Sequence, residues 1–171
     1  MKKFELTSET KINIFGKKLF RIKALVSFGV VKTGETGGWV EKEENVNQSG
    51  DAWVFGNAEV FGNARVSGDA RVFDNAMVFG NARVSGNAEV FGNAEVSGNA
   101  DYTTIHGFGT QFRTTTFFRC KDKQVKVSCG CFYGTIPEFR EQVKNTRDGK
   151  IAEEYLMIAD LMEKHFAEEA K

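Results

Sequence analysis

The sequence predicts a mainly β protein whose centre is a three-sided parallel β-helix. A six-residue unit, Ala-x-Val-(Phe/Ser)-Gly-(Asn/Asp), repeats from Ala52 to Tyr102. Its period matches neither an α-helix nor an uninterrupted strand. Ala and Val stand two residues apart and so share one face of a short extended segment, and the Gly-Asn or Gly-Asp pair that follows favours a sharp turn. We therefore expect a solenoid that turns a corner in every unit.

The residue after each valine indicates three units per coil. It is of the same type, or nearly so, in every third unit, which is a spacing of 18 residues. The three columns are Phe55, Phe73 and Phe91; Phe61, Phe79 and Ser97; and Ser67, Ser85 and Thr103. A triangular coil would place the members of each column on one face, one coil above another.

The outward residues between Ala and Val agree with this arrangement in part. At the same spacing, Arg71 would stack over Glu89 and Arg83 over Asp101, so that opposite charges meet. Arg65 over Arg83 does not fit, because two like charges would be stacked.

The repeat also resembles a known pattern. An aliphatic residue followed four positions later by a small one is the hexapeptide pattern of left-handed parallel β-helices. The resemblance implies a left-handed coil, although most crossover connections in proteins are right-handed. The corner asparagines are expected to form ladders of amide hydrogen bonds. They are Asn57, Asn63, Asn75, Asn81, Asn87, Asn93 and Asn99.

Length and composition limit the class of protein. The chain has 171 residues, 41% of them hydrophobic, and no apolar run long enough to span a membrane. Its N-terminus lacks the apolar stretch of a secretion signal, and three cysteines argue against a disulfide framework. We expect a cytoplasmic protein. Residues 51–101 carry three basic and seven acidic side chains, so direct DNA binding is not expected.

The flanking segments are predicted to cap the two ends of the solenoid. Residues 1–38 predict an N-terminal β cap, with a hairpin that turns at Gly16 and covers the first coil. Residues 39–119 form the predicted solenoid, including a small bulge around Asn47 to Gly50. Its last coil would consist of three six-residue segments from Tyr102 to Arg119, whose spacing persists although the pattern decays.

Residues 120–171 predict a C-terminal hairpin and a helical pair. The hairpin runs from Phe117 to Cys131 and turns at Asp122-Lys123. Thr135 and Glu138 form a capping box for a first helix that contains the only proline, and a second helix is expected from Lys150 to about Ala167. The first helix has its apolar residues at Ile136, Phe139 and Val143, and the second at Ile151, Tyr155, Ile158, Met162 and Phe166. This apolar surface must pack against the last coil, the solenoid flank or a partner subunit.

The phenylalanines of the repeat point outward if Ala and Val point inward. Five exposed rings, each of about 150 Å² or more, would exceed the apolar patch of an ordinary monomer. Either the terminal helices cover one ladder, or the ladders form an oligomer or partner face. Trimers are common for this kind of helix, so we expect a homo-oligomer, with a trimer as the default. The ladders consist of Phe55, Phe73 and Phe91, and of Phe61 and Phe79.

Few residues suggest a catalytic or metal-binding role. His106 could be the general base of an acyltransferase, an activity known on left-handed β-helices, but it takes the position of a small inward residue and fits a buried or corner histidine better. His165 is expected on a helix surface. The spacing of Cys120, Cys129 and Cys131 does not suit zinc, and we expect small buried side chains on a hairpin, with no metal or cofactor.

Three stretches together resemble a family of small repeat proteins encoded by phages and prophages. They are Val-Phe-Gly-Asn-Ala-Arg-Val-Ser-Gly-Asn-Ala, the lead-in Gly-Gly-Trp-Val-Glu-Lys-Glu-Glu-Asn, and the tail from Phe117 to Thr135. The resemblance covers nearly the whole chain. It implies a viral accessory protein of a kind that often acts on host defences, by sequestering a nucleotide signal or blocking a defence protein.

Our leading hypothesis is therefore a non-enzymatic binding protein in the host cytoplasm. Basic residues and aromatic rings near the last coil could hold a nucleotide. The basic candidates are Arg113, Arg119, Lys121 and Lys123, and the aromatic ones are Tyr102, Phe108, Trp39 and Trp53. The alternatives are an acyltransferase-like enzyme that uses His106 and a self-assembling scaffold, against which the atypical terminal segments argue.

Overall fold

The computed structural model describes residues 1–167 and divides into two compact units, Met1–Asn99 and Ala100–Lys171. Residues 168–171 of the predicted C-terminal segment lie outside the described part. Within that part, no helix is long and apolar enough to cross a membrane.

The first unit opens with three longer strands and continues with eight short ones. The longer strands are β1 (Phe4–Ile12), β2 (Lys18–Ala24) and β3 (Thr36–Val40). The short strands are β4 (Trp53–Val54), β5 (Glu59–Val60), β6 (Arg65–Val66), β7 (Arg71–Val72), β8 (Met77–Val78), β9 (Arg83–Val84), β10 (Glu89–Val90) and β11 (Glu95–Val96).

The short strands form three parallel faces, as predicted. One face contains β4, β7 and β10, the second β5, β8 and β11, and the third β6 and β9. Val54 lies beside Val72 and Val72 beside Val90, which confirms a coil of 18 residues. Each coil bonds to the next through its backbone; the Phe55 amide, for example, donates to the Val72 carbonyl at 2.8 Å. The fold is thus the predicted three-sided solenoid.

The solenoid core consists of the repeated alanines and valines. Every one of them from Ala52 to Val96 is at most 1% exposed. The corners depend on positive φ angles, which glycine adopts without steric cost. Where the repeat places Asp74 instead of glycine, φ is 57° and the side chain accepts a hydrogen bond from the Gly92 amide at 3.2 Å. The Asp74 carboxylate therefore ties its corner to the next coil.

The N-terminal hairpin is confirmed, and it extends one face of the solenoid. Strands β1 and β2 pair antiparallel, β2 pairs with β3, and β3 runs parallel to β5, which gives the sheet order β1-β2-β3-β5-β8-β11. Lys3 also reaches the first coil, where its Nζ donates to the carbonyls of Gly50 and Ala52 at 3.1 and 2.8 Å. The hairpin thereby satisfies backbone groups that an open coil would expose.

The second unit is an antiparallel sheet covered by two helices. The strands β12 (Tyr102–Phe108), β13 (Arg113–Arg119), β14 (Val125–Cys129) and β15 (Phe132–Thr135) pair in chain order. The helices are α1 (Ile136–Thr146), with the predicted Thr135–Glu138 capping box, and α2 (Gly149–Phe166). Their apolar residues pack on the sheet of their own unit, where the rings of Phe117 and Phe139 lie 6.3 Å apart.

The prediction of a last coil from Tyr102 to Arg119 is wrong. Strands β12 and β13 pair antiparallel, so the parallel pairing of the solenoid ends at Val96 rather than at residue 119. The segment keeps the spacing of six but has lost the Ala–Val pair and the glycine–asparagine corner. Gly109 and Phe112, both at positive φ, turn the chain back on itself instead.

Candidate functional site

A cavity of about 460 Å³ opens in the second unit, between the sheet and α1. Its wall comes from the β12–β13 turn, the ends of β13 and β14, the start of β15, the last turns of α1, and α2. The lining residues are Phe108, Gly109, Thr110, Gln111, Arg113, Cys129, Cys131, Phe132, Phe139, Gln142, Val143, Thr146, Arg147 and Tyr155. Its volume lies within the range of about 300–1,000 Å³ that is usual for small-molecule sites.

Tyr155 brings a buried hydroxyl to this cavity. Gly109 makes room for it, because a Cβ at that position would lie 2.5 Å from the Tyr155 hydroxyl oxygen. Burial and the neighbouring Cys129 raise the pKa of Tyr155 to about 12, while Arg147 and Arg113 act to lower it. The Tyr155 hydroxyl is therefore protonated at neutral pH, and its hydrogen bond with Cys129 contributes to the higher pKa.

Two phenylalanine rings pack beside the Tyr155 ring in the cavity wall. The Phe139 ring meets the Tyr155 ring edge-on at 5.7 Å, and the Phe132 ring lies 5.4 Å from that of Phe139. Cys129 is held in the same wall, since the Thr115 hydroxyl donates to its sulfur at 3.1 Å. The rings give the cavity a rigid apolar wall on which a planar group can lie.

The charged lining residues of the cavity are Arg113 and Arg147. The guanidinium of Arg113 passes closely over Gly130, where a Cβ would clash with it, so this glycine is needed for the observed position of Arg113. Arg147 follows α1 directly, and its amide donates to the Val143 carbonyl at 2.9 Å. A cation at this end of a helix is favourable, and both guanidiniums are able to bind an oxyanion.

The cavity suits an anion that carries an aromatic group. Among its described lining residues there is no carboxylate and no imidazole, the groups that most often transfer protons in enzymes near neutral pH. The arrangement offers positive charge, amide groups and aromatic surface, together with the thiols of Cys129 and Cys131 and the hydroxyl of Tyr155.

The structure separates the predicted basic residues. Arg113 lines the cavity just described, whereas Arg119 and Lys123 line a second groove of about 490 Å³ beside Phe166. Arg119 is also engaged already, in an ion pair with Asp101 at 3.3 Å. Lys121 is exposed in the turn after β13 and lines neither space. Asp101 lies in a short helical turn before β12 and belongs to none of the parallel strands on which its predicted stacking with Arg83 was based.

Of the predicted aromatic residues, Phe108 lines the cavity and Tyr102 lies at the opposite end of β12, beside Phe118. The tryptophans belong to the core of the first unit, and their predicted role in stacking a ligand is wrong. Trp53 is fully buried and packs against Phe4 at 5.8 Å, and Trp39 is covered by the cationic groups of Lys11 and Arg21.

His106 is exposed on β12, and its Nδ1 lies 3.0 Å from the Thr114 hydroxyl. The expectation of a buried or corner histidine is wrong, because the segment forms an antiparallel strand rather than a coil. His106 does not line the cavity described above. His165 is exposed near the end of α2, as expected.

The cysteines occupy three different environments. Cys120 is buried, Cys129 is partly buried and Cys131 is exposed in the turn before β15. The expectation of three buried side chains is therefore wrong for Cys131. All three thiols are free, and the described residues include no cluster of histidine, cysteine or carboxylate groups that could hold a metal ion.

The phenylalanine ladders are stacked as the columns predict. The rings of Phe61 and Phe79 lie 5.0 Å apart and those of Phe73 and Phe91 4.5 Å apart, each pair nearly parallel. The N-terminal hairpin covers the first pair. The second pair belongs to the half-buried column with Phe55, and Phe55 and Phe73 line a shallow groove. That this column forms an oligomer or partner face stays a prediction.

Arg147 was not predicted as a site residue, and Tyr155 was predicted only as part of the apolar face of the second helix. Arg147 could have been found, because it directly follows the predicted first helix and precedes Asp148-Gly149. The proximity of both residues to Arg113 depends on how the helices pack on the sheet, for which the sequence contains no periodic signal.

Comparison with known proteins supports the solenoid alone. A family model described as the YdcK β-solenoid repeat matches residues 70–86, slightly less than one coil of the first unit. No curated protein matches the chain.

Proposed function

We propose that the protein is a non-enzymatic binding protein that holds a nucleotide in the cavity of its second unit. One observation supports this above all. The charged residues that line the cavity are both arginines, Arg113 and Arg147, and they stand beside aromatic rings. A nucleotide combines the two groups for which this lining is suited, a phosphate and a planar base.

The two groups would occupy different parts of the site. A phosphate would accept hydrogen bonds from the guanidiniums, which bind oxyanions in a bidentate manner. The base would lie against Phe108 and Phe132, both half-buried, with the oxygen of the Tyr155 hydroxyl as an acceptor at its edge. Gln111 and Gln142 add amide groups that are able to read a base or a ribose.

The biological setting of this proposal comes from the sequence resemblance to phage and prophage repeat proteins. In that setting, the protein would sequester a nucleotide signal of the host defence, or block a host defence protein. A cytoplasmic location agrees with its free thiols. We further propose a homo-oligomer, by default a trimer, in which the column of Phe55, Phe73 and Phe91 is covered.

Native mass spectrometry of the full chain, purified gently from defence-bearing host cells, tests the proposal directly. We expect a retained small molecule of nucleotide mass that is lost on denaturation. Isothermal titration with AMP, and with adenosine as its uncharged counterpart, then measures the phosphate contribution. We expect AMP to bind at least about tenfold more tightly than adenosine, which is about 1.4 kcal/mol.

Matched variants identify the site. Arg113→Gln and Arg147→Gln should each weaken AMP binding by about tenfold or more, because each removes a charge-assisted hydrogen bond. Lys121→Gln removes an exposed charge outside the cavity and should leave the affinity within about twofold. The proposal fails if no small molecule is retained and neither AMP nor GMP binds, or if the arginine variants bind as the wild type does.

A further inference from the structure

Arg65 and Arg83 form an unusual pair on the third face of the solenoid. They occupy the outward positions of β6 and β9 and are directly opposite each other in the parallel register. Neighbouring strands lie about 4.8 Å apart, so the two side chains leave the backbone one above the other. Both are exposed. We refer to these two residues as the arginine column.

The arginine column has no carboxylate partner. Among the ion pairs of the described residues, none includes Arg65 or Arg83. The other faces are arranged differently. Glu59 is paired with Lys11 at 2.7 Å, and Arg71 lies in register with Glu89. Like charges directly opposite on neighbouring strands are destabilising unless an ion of opposite charge lies between them.

Two concave spaces flank the arginine column, and both arginines line each of them. The smaller one, of about 350 Å³, is also lined by Lys42 and by the corner amides of Asn63 and Asn81. The Asn63 amide donates to the Asn81 oxygen at 3.3 Å, so the corner amides are fixed in a ladder. This space therefore combines three cationic side chains with ordered polar groups.

Acidic residues nearby do not cancel this charge. Glu44 lines both spaces and Glu43 lines the larger one, of about 480 Å³. Glu43 is already neutralised by Lys2, whose ammonium lies 2.6 Å away. In the smaller space Lys42, Arg65 and Arg83 face Glu44 alone among carboxylates, which leaves an excess of positive charge.

We infer that the arginine column is an oxyanion site for a compact, multiply charged phosphate such as pyrophosphate. Guanidinium groups bind phosphate oxygens through two parallel hydrogen bonds, and two such groups one coil apart can hold adjacent phosphate groups. The site lies in the first unit and shares no residue with the cavity of the second unit. It is therefore independent of the proposed function and would take an anion without an aromatic group.

Titration of the full chain with pyrophosphate, at constant ionic strength set with chloride, tests the inference. We expect saturable binding that the double variant Arg65→Gln/Arg83→Gln weakens by at least about tenfold. Arg71→Gln, a matched loss of an outward arginine on another face, should have less than a twofold effect. Lys121→Gln, which removes an exposed charge of the second unit, should also leave pyrophosphate binding unchanged.

A second variant keeps the test independent of folding defects. Arg83→Glu should abolish pyrophosphate binding and raise the melting temperature in phosphate-free, low-salt buffer, because an opposite charge would then stand below Arg65. The inference is overturned if pyrophosphate does not bind, if the Arg65/Arg83 variants bind it as the wild type does, or if Lys121→Gln weakens the binding as much as the double variant does.

Discussion

Phe15, at the tip of the N-terminal hairpin, places its ring 5.6 Å from the ring of Phe61 on the second coil face. It also lies 5.2 Å from Phe79, so one ring covers two members of the ladder. Phe61 is buried as a result, although its position in the repeat points it away from the alanine and valine core. The cap that closes the first coil thus also covers an aromatic column.

Replacement of Phe15 by alanine should destabilise the first unit by about 1–2 kcal/mol, since two aromatic contacts are lost. Both tryptophans lie in this unit, so tryptophan fluorescence during urea unfolding reports on it specifically. Ile14→Ala, a change at a neighbouring and more exposed residue of the same turn, is the control and should change stability by less than about 0.5 kcal/mol. Equal effects of the two changes would contradict a covering role for Phe15.

Asn45 is fully buried at the start of the solenoid. Its side chain makes hydrogen bonds to the first coil of the kind that backbone groups make between the later coils. Its Nδ2 donates to the carbonyls of Gly62 and Ala64 at 3.2 and 2.9 Å, and its Oδ1 accepts from the Lys42 amide at 2.9 Å. Asn45→Ala removes one buried and two partly buried hydrogen bonds and should cost about 2–4 kcal/mol.

The exposed corner residue Asn57 provides the control for Asn45. The change Asn57→Ala should alter the free energy of unfolding by less than about 0.5 kcal/mol, because water can replace the amide. The same fluorescence measurement compares the two variants. A small effect of Asn45→Ala would show that the first coil does not depend on its side-chain hydrogen bonds.

The sequence was sufficient to predict the solenoid because a coil repeats its own chemistry. Each alanine and valine is buried by the same residues of the next coil, so the periodic signal and the packing coincide. That relation ends after Val96. Between Tyr102 and Arg119 the spacing of six continues, but threonines and phenylalanines favour longer strands, and these strands pair with antiparallel neighbours.

The candidate cavity could be predicted only in part, for the same physical reason. Arg113 and Phe108 are close in sequence, and both were predicted as ligand-binding residues, one basic and one aromatic. Tyr155 and Arg147 belong to helices whose apolar faces were recognised, but the position of a helix on a sheet depends on shape complementarity that no short pattern encodes. The tryptophans were misassigned because aromatic residues are as suited to a core as to a ligand.

Lys3 should make the stability of the first unit depend on pH in an alkaline range. It is 4% exposed, and burial lowers its pKa from 10.5 to about 8, although Asp51 and Asp69 act to raise it. Below pH 8 both the folded and the unfolded chain carry this proton. Between about pH 8 and 10.5 the folded chain loses it while the unfolded chain retains it, so the contribution of Lys3 to stability rises with pH.

The comparison of the wild type with Lys3→Met isolates this effect. Cysteines and tyrosines also titrate in this pH range, but they are present in both proteins, so their contributions cancel in the difference. The difference in unfolding free energy, wild type minus variant, should increase by about 1 kcal/mol per pH unit within that range. Lys2→Met is the control, since Lys2 is exposed. A difference that stays constant or falls as pH rises would refute the assignment.

Alkylation of the cysteines provides a test that connects the structure to the proposed ligand. Cys131 is exposed at the rim of the cavity, whereas Cys120 is buried. Burial, with a smaller effect of Asp122, raises the pKa of Cys120 to about 11, so little thiolate is present there at pH 8. Iodoacetamide should therefore modify Cys131 at least about tenfold faster than Cys120, as measured by peptide mass spectrometry.

A ligand in the cavity should change these rates selectively. AMP at a saturating concentration should slow the modification of Cys131 and Cys129, which line the cavity, and leave Cys120 unaffected, because Cys120 does not line it. At an AMP concentration near the wild-type dissociation constant, Arg113→Gln should remove most of this protection, whereas Lys121→Gln should retain it. If AMP slows all three cysteines equally, its effect is a general stabilisation of the fold. If AMP binds but slows none of them, it occupies another part of the protein.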